Sequence, residues 1–225
     1  HLLLIPGLGC TPKLYAAQIA HLEGRIATSV AAHARGSTIA EIAARILAAA
    51  PPRFALCGLS MGGYISFEIM RQAPERVERL ALLDTTAAMD APEGRARREA
   101  TMQRVGAGDY EGVIETLYTL LVRPSAHADE ALKAAVTGMM RECGAEVFLR
   151  QQGAILGRVD SRPFLGAIAC RTLVLVGDQD ALTPPAAARE MAQGISGAKL
   201  TIVPDCGHMA TMEQPGAVNA ALDDW

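Results

Sequence analysis

An α/β fold on a mostly parallel, doubly wound sheet of about six strands, with a helical cap, is what this sequence predicts. Three observations predict it. First, short apolar runs rich in β-branched residues fall at about 2–5, 26–31, 53–57, 79–83, 172–176 and 199–203. Most are separated by stretches with helical periodicity, and strand alternating with helix makes a parallel sheet covered on both faces. Second, the helical stretches open on start signals: Thr11-Pro12 before 12–22, Ser37-Thr38 with Glu41 before 38–50, Thr183-Pro184 before 184–194, and Gln214-Pro215 before 215–224. Proline suits a first helical turn because the amide it lacks would have no partner there. Third, the rhythm breaks once: between Asp84 and Arg171 no strand is read, and helical patterns run near 94–106, 109–122, 128–141 and 144–157. On the second of these, Val113, Leu117, Leu120 and Leu121 share one face. Residues of about 85–170 are therefore expected to form a helical cap inserted between strands and roofing one end of the sheet; extra core helices are the plainer alternative.

At 225 residues and 50% hydrophobic, the chain is expected to form a single domain over 1–225, burying about 70–75% of the surface its unfolded form exposes. Its formal net charge is −3, and Lys and Arg are spread without a basic cluster interleaved with aromatics, so no nucleic-acid partner is expected. No run of 18 apolar residues exists to span a bilayer, and the apolar stretch from Leu2 meets Pro6-Gly7 too early for a signal-peptide core. A soluble, cytoplasmic protein with no membrane partner is the expectation. The five cysteines, Cys10, Cys57, Cys143, Cys170 and Cys206, are odd in number and widely spaced without C-x-x-C. They suggest neither a disulfide framework nor zinc, and read as small buried or half-buried apolar residues. H-E-x-x-H, G-x-G-x-x-G and G-x-x-x-x-G-K-[ST] are absent too, so no metal and no cofactor is expected.

The chemistry concentrates at Cys57–Gly63, CGLSMGG, between an apolar run and an amphipathic stretch from Met61 to about Gln72. In G-x-S-x-G at a strand-to-helix turn the serine hydroxyl stands clear of the sheet edge. Gly58 and Gly62 are needed because a Cβ at either would strike neighbouring backbone. A serine hydroxyl is a poor nucleophile until a histidine takes its proton and a carboxylate holds that imidazole in the right tautomer. After the strand 172–176 comes GDQDALTP, residues 177–184, and after the strand 199–203 comes PDCGHM, residues 204–209. Both loops lie beyond the carboxyl ends of strands, where catalytic groups of open α/β sheets collect. Ser60, Asp180 and His208 follow the chain order serine, acid, histidine. Asp178, Asp205 and Asp84 compete for the acid. Asp178 is expected to point away or brace its turn, and Asp205 to cap the loop carrying His208. His1, His21, His33 and His127 read as surface residues.

An oxyanion needs two preorganised amides. The N–H of Met61 and that of Leu8, in Pro6-Gly7-Leu8-Gly9, are the candidates; an ordinary tight turn is the alternative for the second loop. In the cap, Leu117, Leu120, Leu121 and Phe148 are expected to line a dry pocket over Ser60 that favours uncharged short and medium acyl chains.

Taken in order, LLLIPGLG, FALCGLSMGGYISFEIM, APERVERLALLD, VLVGDQDALTP and PDCGHMATMEQP resemble the α/β-hydrolase superfamily over essentially the whole chain. Within it they look most like the small capped carboxylesterases that include the pimeloyl-carrier-protein methyl esterase group. The resemblance implies a serine hydrolase without cofactor, cleaving small or medium carboxylic esters through an acyl-enzyme on Ser60, Asp180 and His208. Pro6-Gly7 stands where the superfamily usually has His-Gly, which leaves the amide of Leu8 usable. The sequence also begins at what would be the family's third strand, which predicts an all-parallel sheet. The same scaffold serves thioesterases, lactonases and C–C bond hydrolases, and a ligand-binding module with vestigial turnover is the reading outside the enzyme class. Arg141, Arg150, Arg158 and Arg162 could dock an acidic carrier protein; with acidic residues interspersed, a solvated mixed face is the alternative.

Overall fold

Six strands, all parallel, make the one sheet of the computed structural model, which describes residues 1–225. They are β1 (Leu2–Ile5), β2 (Thr28–Val30), β3 (Phe54–Leu59), β4 (Val77–Leu83), β5 (Arg171–Gly177) and β6 (Lys199–Val203), in spatial order β2-β1-β3-β4-β5-β6. Their continuous apolar sequences follow from burial on both sides. Leu2, Leu4, Cys57, Leu59, Ala81, Leu83, Leu173 and Leu175 feed one core, while Leu3, Ile5, Leu56, Leu80, Leu82, Val174 and Val176 feed the other. The first core is closed by α1 (Ala16–Leu22) and α9 (Pro215–Asp224). The second is closed by α2 (Ile39–Ala49), α3 (Met61–Gln72) and α7 (Pro185–Gly194). Each fully buried Leu, Ile or Val in these layers stabilises the fold by about 1.5–3 kcal/mol.

The strand order places the site. From β1 the chain goes out to β2 on one side, then returns to β3 on the other, so the loops after β1 and β3 diverge and open a crevice at the carboxyl edge. Between β4 and β5 lie α4 (Pro92–Gly106), α5 (Tyr110–Leu121) and α6 (Glu130–Leu156), which pack on one another. A last short helix, α8 (Ala210–Glu213), follows the loop after β6.

Two elements differ from their expected form. Residues 12–22 split into a 3-10 turn, Pro12–Tyr15, and α1. The two helices expected at 128–141 and 144–157 run as one, α6, broken by Gly144 at φ 78°, ψ 159°; a side chain would resist that conformation, so the glycine sets the kink. No helix is long and apolar enough to cross a membrane.

Candidate active site

Ser60 sits between β3 and α3 at φ 55°, ψ −114°, a conformation a non-glycine residue keeps only when its surroundings enforce it. They do so from three sides. Its N–H donates to Leu83 O at 3.0 Å, and its carbonyl accepts from Gly63 N at 2.9 Å and Thr85 Oγ1 at 2.8 Å. A Cβ on Gly58 would strike the Gly62 carbonyl, and one on Gly62 would strike the Ile5 carbonyl, as expected of so sharp a turn. The second clash also shows how tightly the end of β1 is wedged beneath the elbow.

That wedge brings the loop Pro6–Gly9 beside the serine. Met61 opens α3, so its amide has no intrahelical partner and lies at the positive end of the helix dipole. Leu8 and Ser60 line the same cavity. The loop is pinned twice: the Gly9 N–H donates to Gln151 Oε1 at 2.9 Å, and the Gly7 carbonyl lies 2.9 Å from His33 Nε2. His33 is thus buried, not the surface residue its sequence context suggests. Nothing in a loop sequence announces a side chain that folds back onto another strand's exit. Burial lowers its pKa, and the Gly7 carbonyl offsets part of that.

Asp180 and His208, at 3% and 2% exposure, meet at 2.8 Å between Oδ2 and Nδ1. The other Asp180 oxygen accepts from the amides of Leu182 and Thr183 at 2.8 and 2.9 Å, and Thr183 Oγ1 donates to Oδ2 at 2.7 Å. Burial alone would raise the Asp180 pKa, but His208 and these donors hold it below the usual carboxylate value. Burial likewise opposes charge on His208, yet the Asp180 carboxylate and its hydrogen bond outweigh it, and the pKa lies above the ordinary 6.5. His208 and Ser60 line one cavity; no direct hydrogen bond joins them, and such contacts often tighten only when substrate binds.

The competing acids serve elsewhere. Asp84 is fully buried, and its two oxygens accept from Gly177 N at 3.0 Å and Ala210 N at 3.2 Å, stapling the ends of β4 and β5 to the start of α8. Burial, with the nearby Asp180 charge, raises its pKa well above the ordinary value. Asp178 braces the histidine loop by accepting from Cys206 N at 3.1 Å. Asp205 does not cap that loop as expected; its carboxylate turns outward to Arg123 at 3.3 Å. The cap is Glu213, whose Oε1 accepts from the amides of Gly207 and Met209 at 3.0 and 3.2 Å and whose Oε2 accepts from Arg123 N at 2.9 Å. Glu213 escaped the sequence reading, although an acid five residues beyond His208 and at the end of a short helix was a usable signal. The backbone N–H of His208 donates to Leu121 O at 2.8 Å, tying the histidine to the end of α5.

The cavity holding Ser60 and His208 has a volume of about 460 Å³. Leu117, Leu120 and Leu121 of α5 line it. Phe148 does not: it packs behind that wall against Val105 and the lining residue Val113, its ring 5.4 Å from Tyr110. Nor is the lining uniformly apolar, because Asp90, Arg97, Arg98 and Arg104 contribute to it. The four arginines considered for carrier docking are engaged within the chain. Arg141 pairs with Glu111 and Glu115, Arg150 with Glu146, and Arg162 with Asp160. Arg158 is buried against Asp90 at 2.9 Å, with its guanidinium 4.4 Å from the centre of the Tyr64 ring.

A parallel sheet whose strand ends carry a strained serine elbow and a buried histidine–carboxylate pair defines the class, and comparison with known proteins agrees with it. The family model described as the alpha/beta hydrolase fold matches residues 1–215, and the chain belongs to that family. It is similar to the pimeloyl-[acyl-carrier protein] methyl ester esterase of Nitrosomonas europaea, at 30% identity over 179 residues, covering 77% of this chain and 71% of that protein. A thermophilic esterase from Thermogutta terrifontis, solved with malate bound, superposes with a TM-score of 0.90 at 28% identity, over 100% of this chain and 88% of that one. The enol-lactonase of Burkholderia xenovorans LB400 also superposes at 0.90, over 99% of this chain and 89% of that one, with 23% identity; at that identity the likeness is one of fold.

Proposed function

We propose that the protein is a cofactor-independent serine hydrolase that cleaves small or medium carboxylic esters, with Ser60, His208 and Asp180 as its triad. The observation that carries this reading is the 2.8 Å pair of His208 and Asp180 in the cavity that Ser60 lines. His208 Nδ1 donates to Asp180, which leaves Nε2 free to take the Ser60 proton as Oγ attacks the ester carbonyl. The negative oxygen so formed is received by the amides of Met61 and Leu8, each such donor lowering the barrier by about 3 kcal/mol. His208 returns the proton to the departing alkoxide. The acyl-enzyme is then attacked by a water that the same imidazole deprotonates, and the acid leaves. Ester cleavage is the activity named for the Nitrosomonas and Thermogutta relatives, which supports it for this chain.

The segment between β4 and β5 acts in this reading as the roof of the pocket. The test is hydrolysis of nitrophenyl butyrate. Steady turnover is expected in the native protein, and Ser60→Ala should lower kcat on the order of 10⁶-fold. Undiminished turnover in that variant, or a single burst of nitrophenol with no steady phase in the native protein, would overturn the reading, the second outcome in favour of a binding module.

A further inference from the structure

We propose that the pocket takes esters whose carbon chain also carries a free carboxylate, and that Arg97 recognises it; this rests on the hydrolase reading above. Helix α4 carries four arginines, Arg95, Arg97, Arg98 and Arg104, and the last three line the cavity that holds Ser60. Asp90 is the one acid lining that cavity, so three guanidinium groups face one carboxylate in a chain whose net charge is −3.

The partners of these groups separate their roles. Arg104 is neutralised by Asp109 at 2.7 Å. Arg98 and the buried Arg158 share Asp90, at 3.0 and 2.9 Å, and the two guanidinium groups hold that acid far below the usual carboxylate range against the upward push of burial. Arg98 is further fixed by Gln152 Oε1 at 2.5 Å. These contacts make Arg98 part of the wall. The carbonyl of Arg97 accepts from Thr101 Oγ1, but its guanidinium has no hydrogen bond and no ion pair, although Arg95, two residues away on the same helix, finds Glu99 at 3.0 Å. An unpaired guanidinium on the wall of a substrate pocket offers a planar two-pronged donor that matches a carboxylate. Leu117, Leu120 and Leu121 supply the apolar side of the same cavity, where a methylene chain can lie. One pocket thus offers an apolar track, a reacting serine and an unneutralised cation, and a monoester of a dicarboxylic acid satisfies all three.

The experiment compares monomethyl with dimethyl esters of straight-chain dicarboxylic acids of five to eight carbons, which share the scissile bond and differ in the charge of the far end. In the native protein kcat/KM should be about tenfold higher for the monoester of the best-fitting length, mostly through KM, as a hydrogen bond to a charged group allows. Because Arg97 is exposed, this preference should shrink with added salt. Arg97→Gln should bring the monoester-to-diester ratio close to one, and Arg95→Gln, outside the cavity lining, should keep it. A native ratio of one or below, or a ratio that survives Arg97→Gln, overturns the carboxylate proposal while leaving the hydrolase standing. If neither ester is cleaved while nitrophenyl butyrate is, the carboxylate proposal alone falls; if nitrophenyl butyrate is not cleaved either, both fall. If the free esters are not distinguished but Arg97→Gln slows cleavage of a methyl ester linked to an acyl carrier protein, the arginine meets an acidic carrier and the proposal falls.

Discussion

The helix that follows Ser60 and the helix that lends the same pocket its basic wall are built on opposite terms. In α3, nine of twelve residues are buried, and a glycine is required wherever neighbouring backbone lies against the helix. In α4, one residue of fifteen, Val105, is buried, and of its four arginines Arg95, Arg98 and Arg104 are paired while Arg97 is not. The first helix is dictated by the core that carries the serine; the second presents side chains to the pocket without being buried itself, and on the proposal above substrate preference is set there.

After loss of the serine itself, replacing the acid should produce the largest effect. Asp180→Asn should fold and yet turn over about 10⁴-fold more slowly, since the amide favours the wrong imidazole tautomer. Asp84→Asn, which alters a staple between backbone amides, should cost stability of about 1–3 kcal/mol and far less activity; the reverse ranking would move the acid to the end of β4. The same comparison has a pH signature. His208 must be neutral to act, and its pKa is raised above 6.5, so kcat/KM should climb with pH through a midpoint above that value. In Asp180→Asn the carboxylate that opposes burial is gone, and the midpoint, followed by activity or by NMR titration of the imidazole, should move down.

One substitution made in both helices tests the contrast itself. Gly62→Ala drives a methyl group into the Ile5 carbonyl and should lower stability in denaturant unfolding by about 4 kcal/mol or more, at the upper end for single substitutions. Gly106→Ala, at the end of α4 with no neighbour near the added methyl, should be neutral or stabilise by up to about 1 kcal/mol. Equal losses would mean that the two helices are not built differently. Between these extremes lies Leu120, which lines the pocket yet is 42% exposed. Leu120→Ala should leave the melting temperature nearly unchanged and alter discrimination between butyrate and hexanoate esters by about 1–3 kcal/mol at most.

The same contrast explains what could be read from the sequence. Strands with two buried faces are written as unbroken apolar runs, and the elbow as glycines at fixed spacing, so β1 to β6, α3 and the positions of Ser60, Asp180 and His208 at strand ends were legible. What escaped were mostly contacts between residues distant in sequence. His33 reaches Gly7, Glu213 reaches Arg123, and Gln151 reaches Gly9, and no periodicity encodes such meetings. Phe148 illustrates the limit from the apolar side: its hydrophobicity predicts burial, but only the packing of α5 on α6 decides that it stands behind the pocket wall. The arginines of α4 were visible as charge and unreadable as a wall, because a solvated helix face and a pocket lining have the same composition until the helix is docked.

If Ser60 is the activated nucleophile, it should be reactive whatever the natural substrate is. The folded protein treated with a fluorophosphonate should gain the mass of one phosphonyl group, located on Ser60 by peptide mapping and lost on prior denaturation. Modification at a different serine, or none in the folded state, would contradict the account.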